Sequence, residues 1–255
     1  MVFYEPNKTD HGLPYDPFKA CVIPRPIGWI STLSTTGIPN LAPYSQFNNL
    51  TYDPPYVMFA ANQTHEGIPK DSTANAQSTG VFCWNLATWD LREEVNASAE
   101  FLEPGVDEFV KTGLQTVDSR LVKACLKGGE RRAVPMVEKS PVRFECEYHS
   151  TIRLPGNPPM GSVDVVIGKV VGVHIAEWAL TDGKLDVRKT KPIARLGYYE
   201  YAVIQEAFEM IIPGTNKALL AGLEGSVKRT RAAFGDDQKA DGKEKEKEEG
   251  EATAA

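Results

Sequence analysis

Hydroxyl-bearing side chains crowd one short stretch of this chain: Ser31, Thr32, Ser34, Thr35 and Thr36 place five hydroxyls in six positions. Beyond the turn that follows, Ser45, Gln46, Asn48 and Asn49 add further hydrogen-bonding groups. Farther on, Lys70 precedes Asp71-Ser72-Thr73, which sets a cation and two hydroxyls beside an expected helix N-terminus. Hydroxyls, backbone N–H groups and a lysine all bind phosphate oxygens, and the helix dipole favours an anion at that end. These residues point to capture of a phosphate-bearing ligand. The plainer alternative is a Ser/Thr-rich sheet beside a solvated Lys-Asp pair.

Neither G-x-x-x-x-G-K-[ST] nor a G-x-G-x-x-G following a strand occurs, so P-loop and Rossmann sites are excluded. A phosphate-bearing ligand held without those loops fits flavin mononucleotide (FMN). Its ring needs a flat apolar wall, for which Trp29, Tyr44, Phe47 and Trp84 qualify, although each also suits an ordinary core. Cys21, Cys83, Cys125 and Cys146 lie far apart, with no C-x-x-C pair and no histidine at ligand spacing, so no metal site is expected. Cys83 and Cys146, in FCWNL and FECEY, read as small core hydrophobes. The histidines at 11, 65, 149 and 174 form no constellation with Ser, Cys or Asp.

These residues must be positioned by strands. GWISTLS, a turn at Thr35-Thr36-Gly37-Ile38-Pro39-Asn40, and LAPYSQFNNL predict a β-hairpin. Asp53-Pro54-Pro55 leads into YVMFAA, a buried strand. Asp71 is expected to cap a short helix, STANAQST, that ends at Gly80 before the strand VFCWNL. A longer helix is expected from Thr88 through LREEVNASAEF. PVRFECEY alternates: Val142, Phe144, Cys146 and Tyr148 share one face, and Arg143, Glu145 and Glu147 the solvent face. SVDVVIGKVVGVHI is a long strand in which Gly168 and Gly172 suggest bulges. Leu219, Leu220, Leu223 and Val227 suggest a final helix after Asn216. Many short strands with few helices predict a mainly β barrel with peripheral helices.

With 255 residues, 42% hydrophobic and 24% charged, the chain has the composition of a folded globular protein. One domain is expected to about Gly235, followed by a disordered charged tail over 236–255. That tail holds 4 Lys and 8 acids, and the remainder carries −2 of the total −6. So neutral a body gives no electrostatic case for nucleic acid. No apolar run reaches the length a membrane helix needs, and the first residues lack a basic n-region followed by an apolar h-region. The expectation is a cytoplasmic protein with no membrane partner.

The run from Pro24-Arg25-Pro26-Ile27-Gly28-Trp29-Ile30-Ser31-Thr32, through Gly37–Phe47, Asp53-Pro54-Pro55, Lys70–Asn75 and Val81–Leu86, resembles the flavin reductase-like, FMN-binding split-barrel family in its flavoredoxin-like branch. The resemblance is strong over about 20 to 100 and weaker to about 205, where Lys191–Tyr199 resembles the family's closing strand. It implies a Greek-key split β-barrel, a homodimer, and FMN near the subunit interface. Carried onto matching positions, Trp29, Ser31 and Thr32 would line one side of the flavin, and Tyr44, Ser45, Gln46 and Phe47 would hold it. The phosphate would fall to Lys70, Ser72 and Thr73, with Asn75 a lesser contact. It further implies an oxidoreductase that takes hydride from NAD(P)H, with no side-chain nucleophile. One departure favours another reductant: where many relatives carry Gly-Asp-His, this chain reads Gly161-Ser162-Val163. A flavoredoxin-like electron carrier, or an FMN-binding protein without nicotinamide-dependent turnover, therefore stands as the alternative.

Overall fold

The computed structural model describes residues 1–103, 105–158, 161–210 and 213. Met1–Ala207 pack as one unit; of a second, beginning at Phe208, only 208–210 and 213 are described. The expected helix after Asn216 and the charged tail lie outside the described residues.

A four-residue helix α1 (Phe18–Cys21) and a short strand β1 (Arg25–Pro26) lead into β2 (Gly28–Leu33), which pairs antiparallel with β3 (Pro39–Tyr44). The turn between them is closed by Gly37 N–H donating to Ser34 O at 2.9 Å, with Gly37 at φ +83°. Glycine adopts that left-handed conformation at little cost. Ser34 Oγ also accepts from Ile38 N–H and bonds Thr36 Oγ1, so these two hydroxyls serve the turn itself. The second arm of the expected hairpin is not continuous. It breaks at Ser45-Gln46, and β4 (Phe47–Tyr52) pairs instead with β5 (Pro55–Asn62).

Helix α2 (Asp71–Thr79) follows, ended by Gly80 at φ +80°. Its cap position is Lys70 and no side chain caps it; Asp71 is the first helical residue, a correction to the expected Asp71 cap. Next come β6 (Val81–Asn85), a 3-10 turn (Trp89–Leu91) and a short α3 (Arg92–Ala97) in place of the longer helix expected from Thr88. Thr88 bridges to Pro192, and the helix ends at Ala97, with Ser98 at the cap position and its hydroxyl donating to Val95 O. After α4 (Glu108–Thr112), strands β7 (Thr116–Cys125) and β8 (Arg131–Val137) form a separate hairpin. Long strands β9 (Val142–Leu154) and β10 (Val163–Ile175) pair with irregularities at Gly168 and Gly172. A small hairpin of β11 (Leu180–Thr181) and β12 (Lys184–Leu185), helix α5 (Val187–Thr190), and strands β13 (Ile193–Arg195) and β14 (Tyr201–Val203) close the unit, β13 lying between β1 and β14.

The main sheet runs β3-β2-β6-β9-β10-β5-β4, with every neighbour antiparallel. Its two outermost strands, β3 and β4, are joined by only two residues, so the sheet must roll until its ends meet. That roll is a split β-barrel. The enclosed face carries Ile30, Phe47, Phe59, Phe82, Trp84 and Val166, with Ala76 of α2 packed in. Phe47 stacks on Trp84 at 5.3 Å and 7°. A Cβ on Gly28 would meet the Phe47 side chain at 2.7 Å, and one on Gly168 the Phe82 ring at 2.4 Å, so both glycines are needed for closure.

The β7–β8 hairpin covers the other face of β2 and β6, burying Leu33, Cys83, Val122, Ala124, Val134 and Met136. It is why Glu145, expected on a solvent face, is fully buried. Its carboxylate accepts from the N–H groups of Arg120, Leu121 and Val122 at 2.7 to 2.9 Å, and His174 Nε2 lies 2.6 Å away. Burial alone would raise the Glu145 pKa; the backbone donors and His174 outweigh it and hold it below the usual carboxylate value. A depressed pKa contributes stability above the ordinary value of 4.5, lost as pH falls through the folded-state value. Glu145→Ala should cost about 3 kcal/mol or more in urea unfolding, because it orphans buried N–H donors. The acid limb of the stability curve should shrink in that variant, and an unchanged limb would refute the assignment.

Candidate functional site

Because side chains alternate along a strand, Thr32 points to the opposite side of β2 from Trp29 and Ser31. Trp29 is fully buried in a core with Leu41, Leu91 and Val137, its indole N–H donating to Ser98 Oγ at 2.9 Å. Ser31, also fully buried, accepts from Asn85 Nδ2 at 3.2 Å. The three residues expected on one wall are thus divided between two faces. Phe47 belongs to the barrel core. Ser45 and Gln46 form the link at the barrel seam, where Gln46 O accepts from Ala60 N–H at 2.8 Å and its side chain is exposed.

The structure does bring the hairpin and α2 together. Asn75 Nδ2 donates to Thr32 Oγ1 at 3.0 Å, and Asn40 Nδ2 reaches Ser72 Oγ at 2.9 Å and Thr32 Oγ1 at 3.4 Å. Tyr44 stands beside Ser72, and desolvation of its hydroxyl pushes the phenol up to about 12. Thr73, one residue on, is fully buried and its Oγ1 has no hydrogen-bond partner. An unused buried hydroxyl beside the uncapped first turn of a nine-residue helix is a free donor where the dipole is positive.

A cavity of about 470 Å³ opens beside the start of α2, walled by Asn40, Tyr44, Lys70, Asp71, Phe101 and Glu108 among others; Thr32, Ser72, Thr73 and Asn75 stand behind its wall and are not in its lining. That volume suits a small organic ligand. Among the described lining residues Lys70 is the one cation, facing Glu66, Asp71, Glu100, Glu103 and Glu108. Three of these acids have partners elsewhere: Glu100 pairs with Lys111, Glu108 Oε2 accepts from Leu41 N–H at 2.9 Å, and Glu66 Oε1 lies 3.8 Å from His65 Nε2. Burial raises the Glu108 pKa, more than that hydrogen bond lowers it. Burial likewise lowers the Lys70 pKa, partly offset by Asp71. A second hollow of about 420 Å³, beyond α4 and lined by Phe109, Arg132 and Pro135, carries none of the residues the sequence singled out.

Asn40, Phe101 and Glu108 were not among the expected site residues. Asn40 had a legible signal, standing opposite Thr32 in hairpin register. Glu108 and Phe101 come from segments that no local pattern ties to the hairpin.

A rolled antiparallel sheet with a polar pocket where its first hairpin meets α2 defines the class: a split barrel of the flavin reductase-like kind. The flavin reductase like domain matches residues 20–200, and the chain belongs to that family, whose chemistry is flavin-related redox. YwrF, an uncharacterized protein of Bacillus subtilis, is 33% identical over 215 residues, covering 84% of this chain and 100% of YwrF. Among solved structures, nitrilotriacetate monooxygenase component B from Bacillus cereus is similar, at 28% identity and a TM-score of 0.72, covering 82% of this chain and 98% of that one. Flavoredoxin of Desulfovibrio vulgaris shares the fold, at 17% identity and a TM-score of 0.59, covering 74% and 91%.

The unpartnered Thr73 hydroxyl gives a direct test. Thr73→Val keeps the shape and removes an unsatisfied polar atom, so the ligand-free protein should gain about 1 kcal/mol in urea unfolding. Ser72→Ala, which leaves Asn40 short of its partner, should lose a similar amount. A Thr73→Val protein that is less stable than the parent would show that the hydroxyl is already satisfied.

Proposed function

We propose that this protein is an oxidoreductase that holds FMN, with the phosphate at the N-terminus of α2. The observation that carries the reading is the Thr73 hydroxyl, buried and unpartnered in the first turn of an uncapped helix, three residues from the Lys70 that lines the cavity. The residues present fit a phosphate. Ser72 Oγ accepts from Asn40, which leaves its own proton to donate; Thr73 Oγ1 donates freely; Lys70 supplies charge. Asn75 acts one step back, fixing Thr32 against the helix. When bound, FMN supplies reversible hydride and one-electron chemistry. Tyr44, half-buried at the cavity wall with its phenol protonated across the physiological range, offers a hydrogen bond there. Ser31 and Phe47 act in this reading as the rigid support of the pocket, and Trp29 touches its wall only through the hydrogen bond to Ser98; Ser45 and Gln46 at the seam supply backbone and side-chain contacts to the ring. The setting is a cytoplasmic homodimer.

NAD(P)H-dependent reduction of flavin is the first form of the activity, and electron transfer through bound FMN from another reductant is the second. A specific observation favours the second. Residues 161–163 carry no histidine; His149 is exposed and bonds Ser150, and His174 is committed to Glu145. Anaerobic addition of NADH or NADPH to the FMN-loaded protein separates them: fast bleaching of the flavin band supports the reductase, and slow or absent bleaching supports the carrier. Lys70→Ala with Thr73→Ala should weaken FMN retention at least tenfold, as loss of a charge-assisted bond and a further hydrogen bond implies. Unchanged retention in a titration of flavin fluorescence would refute the phosphate placement.

A further inference from the structure

Lys70 is held in an unusual way for a surface lysine. Its Nζ lies 3.5 Å from the centroid of the Phe101 ring, and among the described residues it makes no ion pair, although five carboxylates share its cavity. Phe101 is itself 77% exposed, so burial in a core does not hold it there. What holds it is the strap 98–103, all six residues of which line the cavity. The strap is rooted at Ser98, 2% exposed, whose hydroxyl accepts the Trp29 indole N–H at 2.9 Å and donates to Val95 O at 3.0 Å. Glu100, the strap's first carboxylate, pairs with Lys111 and not with Lys70.

A free lysine loses rotamer freedom when it binds an anion; one already fixed over an aromatic face has lost much of it beforehand. We propose that Trp29 and Ser98 are positioning residues: they anchor the 98–103 strap, which sets Phe101 on Lys70 and holds that ammonium ready for the anionic group of the ligand. This rests on the reading of the α2 N-terminus as a phosphate site. Trp29 thereby affects the pocket without reaching it, through one hydrogen bond at the root of the strap.

The test compares FMN with riboflavin, the same ring without the phosphate, in fluorescence titrations of the full chain and of Trp29→Phe, Ser98→Ala and Phe101→Ala. Phe101→Ala should weaken FMN binding about two- to fivefold, the range expected for an exposed cation–π contact, and leave riboflavin binding unchanged. Trp29→Phe and Ser98→Ala should move FMN affinity in the same direction, again without riboflavin. Should Trp29→Phe fail to fold, Ser98→Ala keeps the tryptophan and decides the matter. Equal losses for both flavins would make Trp29 and Ser98 merely structural and overturn the proposal. So would unchanged FMN affinity in all three variants when Lys70→Ala does weaken it. A parent protein that binds FMN no better than riboflavin, or Lys70→Ala with full FMN affinity, defeats the phosphate reading itself and the proposal with it.

Discussion

The two-residue link between β3 and β4 constrains the whole molecule. These strands stand at opposite ends of a seven-strand order, yet Tyr44 and Phe47 are separated only by Ser45 and Gln46. The sheet can satisfy both facts only by rolling, and the roll dictates its interior. Phe47 is driven against Gly28, where a single methyl would collide, and stacks on Trp84; Phe82 takes the space that Gly168 leaves open. The same closure fixes Tyr44 against Phe59 and brings the polar end of the hairpin onto α2. The pocket is thus a by-product of barrel closure, lined by what closure places at the rim.

Two buried polar clusters show opposite logic. Glu145 is saturated: three backbone N–H groups and a histidine surround one carboxylate, and the kinked β7 that wraps it gives up its own pairing between Asp118 and Lys123 to do so. Such a cluster fastens a hairpin to a sheet and leaves nothing over. The cluster at α2 is unsaturated. Asn40, Thr32, Ser72 and Asn75 satisfy one another while Thr73 keeps its hydroxyl unspent, and no side chain caps the helix. Buried polar atoms rarely remain unused in a folded chain unless something else uses them. The contrast is between a cluster whose hydrogen bonds are all made and one that keeps a donor in reserve.

Much of the barrel was legible because local chemistry specifies it: alternating residues in β9, β-branched residues in β10, Gly37 and Gly80 at turns that need positive φ. Of the polar residues the sequence singled out, Lys70 and Asp71 line the cavity, while the hairpin hydroxyls serve the turn or lie buried behind it. What could not be read was set by tertiary placement. The pleat divides Thr32 from Trp29 and Ser31, and residue type alone does not say which face a fully buried strand turns to a ligand. The solvent face assigned to Glu145 failed because β7 and β8, distant in the sheet order, return to cover it. Phe101 lies in an irregular segment with no periodicity to mark it.

The composition of β3 has an effect on how the molecule behaves at high concentration. As the outermost strand on one side of the sheet it presents an edge, and edges recruit strands from other molecules. Pro39 and Pro43 occupy that edge, and proline has no N–H to offer an incoming chain. Edge-to-edge growth into fibrils is therefore discouraged along β3, the strand that carries Asn40 and Tyr44 at the cavity wall.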